Sequence, residues 1–401
     1  MSRNNSHMER TTRMNNATAN RPLPKAPATD HFDLETCLYP YWEGNTVYNE
    51  SVMVVRDEQE KLPPIPLLYP ADEILEVRSS DWKHLYQEGK DWKLENGMLI
   101  IPEGSSVPIM THAEYYPKVK VENEAFDMVG GGYVVFHEGY FFYERQIAVT
   151  YRHSAPWKDF IPLYKGNLLP NTQRKLENKE HLNIVYYGDS VMCGANSTGA
   201  VNLPPYVPTF FNMITMELKA HYGYDDITIF NTANGGMNSQ WGMENAEEKV
   251  AAYHPDLVVI NFGINCGSNG GMVKEDHQRY MKGIIDITRK TNPNAEFILI
   301  STCMPHPQVL FTHGQQGEYE PVLLQLEGEG VAVAQVTSFH NALLRRKRFT
   351  DISGNNVNHA NDFNARMIAQ VCCQTLIPYE GSPDYAAGSA PVGPLAVIVP
   401  K

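Results

Sequence analysis

At 401 residues the chain is longer than one ordinary domain, and two folding units are expected. With 42% hydrophobic and 20% charged residues, the composition is that of a globular protein and not of a disordered or fibrous one. A net charge of −13 without a dense basic patch argues against nucleic acid as a partner, and Arg345-Arg346-Lys347-Arg348 reads as the solvated end of a helix. No apolar run approaches the ~20 residues that span a bilayer, and no hydrophobic signal core opens the chain. The six cysteines are scattered without disulfide or zinc spacing. A cytoplasmic location fits them; a secreted form whose signal peptide has been removed would have the same composition.

Residues 1–32 are polar, rich in Asn, Thr, Arg and Pro, and aperiodic, and read as a disordered lead. Residues 33–165 carry β signals. Ile74–Val77 and Trp92–Glu95 are short strand-like runs, and Asn96-Gly97 predicts a type I′ turn into Met98–Ile101. Tyr133–Phe136 and Gln146–Tyr151 follow, and the absence of long helical periodicity predicts a β-sandwich or jelly-roll-like domain. Trp82, Trp92, Tyr133, Tyr140, Phe141, Phe142 and Tyr143 are read first as core, with a sugar-binding face as the alternative.

Residues 166–181 read as the connection, and from Leu182 the pattern alternates strand and helix up to residue 378. Strands are predicted at Leu182–Tyr187, Ile227–Phe230, Leu257–Asn261, Phe297–Ser301 and Val331–Ala334. Helices are predicted at Thr209–Tyr222 with Gly223 as C-cap, Glu244–Tyr253, Val273–Thr291 and Asn361–Thr375. Such alternation argues for an α/β domain with a parallel sheet covered on both faces. Residues 379–401 turn Gly-, Pro- and Ala-rich, a loose tail.

The strand ends of this second unit each deliver a polar group, and open α/β sheets place ligands at those ends. Gly188-Asp189-Ser190 closes the first strand. Asn231-Thr-Ala-Asn-Gly-Gly236 follows the second, Gly263-Ile264-Asn265 the third, and Asn355-Asn-Val-Asn-His359 precedes the last helix. A serine nucleophile needs a base and donors aimed at a developing oxyanion, and these blocks contain all three.

Together the blocks resemble the SGNH subgroup of the GDSL esterases and lipases over roughly residues 182–376, with Ser190, Gly236, Asn265 and His359 in its four positions. The resemblance implies a flavodoxin-like three-layer domain without metal or organic cofactor. Ser190 would attack the ester carbonyl, and His359 would take its proton and return it to the leaving alcohol. The backbone N–H groups of Ser190 and Gly236 and the Asn265 side chain would hold the oxyanion. A β domain ahead of such a unit is similar to the arrangement in some carbohydrate esterases that remove acetyl groups from polysaccharides.

Two positions depart from the family pattern. Asn356 stands where the family's last block, Asp-x-x-His, carries its acid, and Cys266 stands where an Asp often follows the Asn. Asn356 is therefore a candidate orienter of His359 in a Ser-His dyad, with Asp351 and Asp362 as the alternative acids. His306 and His313 are too sparse for a metal site and are placed at the cleft rim. His254 reads as a helix terminus, Trp241 as a helix-start anchor or a sugar platform, and Cys193 as an unsuited nucleophile. The chain reads as an esterase that removes a short acyl group, acetyl first, from a small-molecule or oligosaccharide ester. The alternatives are a lipid-directed esterase such as a lysophospholipase, a thioesterase, or a carbohydrate-binding protein with an inactive hydrolase fold. No interfacial amphipathic helix points to a membrane partner.

Overall fold

The computed structural model describes Arg21, residues 23–268 and residues 271–380. Most of the lead expected over 1–32 and of the tail expected over 379–401 lies outside the described residues. The amino-terminal region contains α1 (Leu34–Cys37), β1 (Thr46–Met53), β2 (Glu73–Ser79), β3 (Lys93–Glu95), β4 (Met98–Ile100), α2 (His112–Tyr115), β5 (Ala125–Asp127), β6 (Tyr133–Val135) and β7 (Gln146–Arg152). β7 lies between β1 and β2 in an antiparallel sheet, while β3–β4 and β5–β6 are separate hairpins. The region is sheet-rich as expected, though with fewer strands per sheet than a jelly roll. Asn96 (φ 52°) and Gly97 (φ 76°) make the turn that pairs Glu95 with Met98. Trp82, Trp92 and Phe142 are buried in the core, whereas Tyr140 is exposed.

Residues 166–181 do more than connect. They form α3 (Pro170–Asn178), with Pro at its first turn and Leu176 buried. The backbone N–H groups of Asn171 and Thr172 each donate to the Glu296 carboxylate at 2.8 Å, an anion at a helix N-terminus. The chain continues through β8 (Leu182–Gly188), α4 (Phe210–Tyr222), β9 (Ile227–Asn231), α5 (Ser239–Glu244), α6 (Ala246–Lys249) and β10 (Leu257–Asn261). It ends with α7 (Lys274–Thr291), β11 (Glu296–Ile300), α8 (Gln316–Leu323), β12 (Val331–Ala334), α9 (Val336–Leu344) and α10 (Asp362–Leu376).

The five strands are parallel in the order β12-β11-β10-β8-β9. β10, β11 and β12 are buried along their length, as helices on both faces require. The chain leaves β8 toward β9 on one side and returns to β10 on the other, so a switch point lies between β8 and β10. Ligand crevices of open α/β sheets form there. The single helix expected over Glu244–Tyr253 is instead divided. Asn238 caps α5 by accepting from the Trp241 N–H at 3.0 Å, and Asn245 separates α5 from α6.

The two regions share one hydrophobic core, and α10 is its centre. Every residue from Phe363 to Leu376 is buried, including Arg366 and Gln370. Those two side chains are satisfied by the amino-terminal backbone: Arg366 donates to the carbonyls of Cys37 (3.1 Å) and Tyr48 (3.0 Å), and Gln370 to those of Cys37 and Tyr39 (3.0 Å each). Tyr41 stacks on Phe363 at 4.2 Å, and Trp42 and Trp157 pack on Phe339. The basic run after α9 is not a solvated helix end. Arg345 and Arg346 pair with Asp159, Lys347 with Glu50 and Arg348 with Asp351. Four cations in sequence become the clamp between the regions because carboxylates from both regions converge on them.

Candidate active site

Gly188 ends β8 where no side chain fits: a Cβ there would lie 2.2 Å from the Asn261 carbonyl oxygen of β10. This close approach lets the Asp189 N–H donate to the same carbonyl at 3.2 Å, and the chain then turns so that Ser190 emerges half-buried. Asp189 itself points inward. Its Oδ1 accepts from the Val191 N–H at 3.0 Å, Oδ2 has no partner among the described residues, and burial pushes the carboxyl up to about 7.

The loop after β9 runs beside the serine. The Asn234 N–H donates to the Gly188 carbonyl at 3.0 Å, and a Cβ on Gly235 would lie 3.8 Å from the Ser190 Cβ. Gly236 follows with φ 78°, a left-handed conformation suited to glycine. Asn265, on the loop after β10, donates from Nδ2 to the carbonyl of Met237 at 3.1 Å. Ser190 and the Gly235-Gly236 turn thus meet at the carboxyl end of β8, and Asn265 is tied to the same loop through Met237.

His359 completes the group. Its Nε2 lies 2.9 Å from Ser190 Oγ. Its Nδ1 lies 2.7 Å from Asn196 Oδ1 and 3.2 Å from Glu138 Oε2. Both are acceptors, so Nδ1 carries the proton and Nε2 presents its lone pair to the serine hydroxyl. The loop is held by Asn355, whose Oδ1 accepts from the N–H groups of Val357, Asn358 and His359 at 3.0 Å each. Gly354 is needed for close approach: a Cβ there would meet the Asn196 Cβ at 2.5 Å.

Asn356 is not the orienter. It is buried with φ 67°, accepts from the Tyr115 hydroxyl at 2.9 Å and donates to the Val135 carbonyl at 2.9 Å. The left-handed backbone turns it toward the amino-terminal region and away from the imidazole. The alternative acids are engaged too. Asp351 pairs with Arg348 at 2.7 Å and accepts from the Met53 N–H at 2.9 Å. Asp362 accepts from the Thr198 N–H (2.9 Å) and hydroxyl (2.7 Å).

Sequence reasoning missed Asn196 and Glu138. Asn196 lies six residues past the serine in a loop without periodicity, and Glu138 lies 221 residues before His359. Neither position carries a local signal. His306 is buried, not at a rim. Its Nε2 faces the Tyr115 hydroxyl at 3.1 Å, its Nδ1 accepts from the Gln308 N–H, and burial lowers it to about 3. Trp241 packs against Tyr187 as a helix-start anchor. Cys193 is exposed, and its thiol is raised by desolvation and by Asp189, which disfavours a thiolate nucleophile. Cys266 is buried and accepts from the Ser239 N–H at 3.3 Å.

A serine bonded to a histidine at the carboxyl edge of a doubly wound parallel sheet is the pairing that nucleophilic catalysis by a serine requires. Residues 186–362 match the GDSL-like Lipase/Acylhydrolase family model. Among solved structures the chain is similar to a two-domain esterase active on acetylated mannans, co-crystallised with mannopentaose. The identity is 19%, the TM-score 0.44, and 58% of each chain is covered, so the match spans little more than half of that esterase. An acetyl xylan esterase from Geobacillus stearothermophilus is similar at 18% identity and TM-score 0.40, over 50% of this chain and 95% of that one. A lipase/acylhydrolase from Enterococcus faecalis is similar at 17% identity and TM-score 0.37, over 48% and 93%. No curated protein matches the chain.

Proposed function

We propose that the protein is a serine esterase that removes short acyl groups, acetyl foremost, from carbohydrate esters through an acyl-enzyme intermediate. The observation that carries the reading is the 2.9 Å contact between Ser190 Oγ and His359 Nε2, with the Gly235-Gly236 turn beside the serine. In this mechanism His359 Nε2 takes the hydroxyl proton as Oγ attacks the ester carbonyl. The tetrahedral oxyanion accepts hydrogen bonds from the backbone N–H groups of Ser190 and Gly236 and from Asn265 Nδ2. His359 then protonates the departing alcohol, and water repeats the sequence on the acyl-enzyme.

The surroundings favour a hydroxylated alcohol over an alkyl chain. The Glu138 carboxylate stands at His359, and Asn234 and Asn265 lie on the loops after β9 and β10. Tyr140 (59% exposed) follows Glu138 by two residues, and Tyr206 (55% exposed) lies in the same β8–α4 loop as Asn196. The Tyr143 hydroxyl donates to the Pro204 carbonyl and joins those two segments. Aromatic faces of this kind suit sugar rings. The test is hydrolysis of p-nitrophenyl acetate and longer esters, with acetylated oligosaccharides followed by mass spectrometry, for wild type and Ser190→Ala. Release of acetate that vanishes in Ser190→Ala supports the reading. Equal turnover by Ser190→Ala overturns it, and a preference for long acyl chains transfers the enzyme to lipid-like esters.

A further inference from the structure

The loop bearing His359 has no acid of its own that reaches the imidazole, yet a carboxylate does reach it from the amino-terminal region. We infer that Glu138, carried by the amino-terminal region just past β6, is the charged positioning residue of His359, so that this region completes the active site. The inference rests on the esterase reading above.

The carboxylate is held at both oxygens. Oε1 accepts from Asn355 Nδ2 at 3.0 Å, and Oε2 lies 3.2 Å from His359 Nδ1. Asn355 is the same residue that folds the His359 loop, so the loop and the carboxylate are fixed by one side chain. Asn196 is fixed as well. Its Nδ2 donates to the carbonyls of Gly139 (3.2 Å) and Gly354 (3.4 Å), which turns Oδ1 toward the imidazole. Gly139 is the neighbour of Glu138, so one short segment supplies the acid and anchors the amide.

The two acceptors divide the work. Asn196 is nearer and, being neutral, sets the ring's tautomer and orientation. It brings no charge when His359 takes the serine proton. Glu138 supplies that charge within ion-pair reach. Burial raises the Glu138 carboxyl, but hydrogen bonding and charge from His359, with the amides of Asn355 and Asn196, outweigh it and leave the carboxyl below its ordinary range, hence ionised at neutral pH. The other ionisable groups on elements packed around the ring are Asp189 after β8, Asp362 at the start of α10, and Asp351 before the loop. All three are buried and bonded elsewhere, to Val191, Thr198 and Arg348. Cys193 lies in the turn after Ser190 and makes no contact with the imidazole among the described bonds. Glu138 is half-exposed, which moderates its effect but leaves it open to small solutes.

The experiment uses the full chain with Glu138→Gln and Glu138→Ala, pH–rate profiles for p-nitrophenyl acetate from pH 5 to 9, and thermal unfolding as a check on folding. With Asn196 still orienting the ring, loss of the charge should lower the plateau of kcat/KM about ten- to a hundredfold, less than loss of the correct tautomer would. The acidic limb should move to lower pH, because removing a nearby anion disfavours the imidazolium. Added formate should restore part of the activity of Glu138→Ala and none in Ser190→Ala. An unchanged plateau and limb would overturn the inference. So would a loss of activity with the limb unmoved and no formate response, which would mark Glu138 as packing only. If Ser190→Ala itself stays active, the esterase reading fails, whatever Glu138 does; if Ser190→Ala is inactive but the Glu138 variants behave as wild type, that reading stands and this inference falls.

Discussion

Lys347 Nζ and Glu50 Oε1 lie 2.5 Å apart with both side chains withdrawn from water. Lys347 follows α9 of the hydrolase domain, and Glu50 lies on β1. Glu50 also accepts from the Leu68 N–H and the Tyr151 hydroxyl, so the pair is a fully bonded joint between the regions. Burial pushes the Glu50 carboxyl up and Lys347 opposes that rise. Lys347→Met would leave the carboxylate buried without its cation, at a cost of about 3–5 kcal/mol. Urea unfolding should show a correspondingly lower midpoint, and Lys347→Met combined with Glu50→Leu should lose less than Lys347→Met alone. A single variant within about 1 kcal/mol of wild type would contradict the joint.

Asp189 gives a pH dependence with a definite sign. Its folded-state acid sits at about 7, above an unfolded value of about 3.9, so the folded protein favours the neutral form. The contribution is fully present below about pH 4 and is lost as pH rises through about 7. Asp189→Asn cannot ionise and should gain on wild type between pH 5 and pH 8, by on the order of 1–4 kcal/mol. Denaturant unfolding of both proteins across that range measures the gap; a gap constant with pH would show that Asp189 does not titrate there.

Asn356→Asp should not build the missing triad. The Asn356 amide donates to the buried Val135 carbonyl, and a carboxylate in its place would face that carbonyl's oxygen. The variant should lose stability, by about 1–3 kcal/mol for the unsatisfied group, while the acidic limb of its pH–rate profile stays in place. A limb shifted upward would mean that the introduced carboxylate reaches His359 after all.

Asn265→Ala tests the oxyanion site separately from the nucleophile. A donor used mainly in the transition state should cost about 10²–10³ in kcat with little change in KM. Loss confined to KM would make Asn265 a substrate-binding residue.

Much of the α/β domain was legible from local pattern. β10 and β12 fall on the predicted residues, and α4 ends at Gly223, whose φ of 64° supplies the left-handed cap. These elements could be read because a buried strand is a continuous apolar run and a glycine cap is a local requirement. The Ser190–His359 pairing could be anticipated for a related reason: one stands at a strand end and the other before a helix, at the edge where a parallel sheet gathers its ligands. The hairpin at Asn96-Gly97 is equally local.

What the tertiary structure decided lies between distant segments. The sequence offered Asn356 as the partner of His359 because it occupies the expected spacing. Its left-handed backbone sends the side chain to Tyr115 and Val135 instead. Arg345 to Arg348 read as solvated because their carboxylates come from Asp159 and Glu50, far away in the chain, as well as from nearby Asp351. α10 could be placed, but not the reason for its polar Arg366 and Gln370, which bond the backbone of residues 37–48. Glu138 approaches His359 across 221 positions of sequence. No periodicity or spacing encodes such a contact, because it is fixed by how the two regions pack on α10 and not by the chain on either side of it.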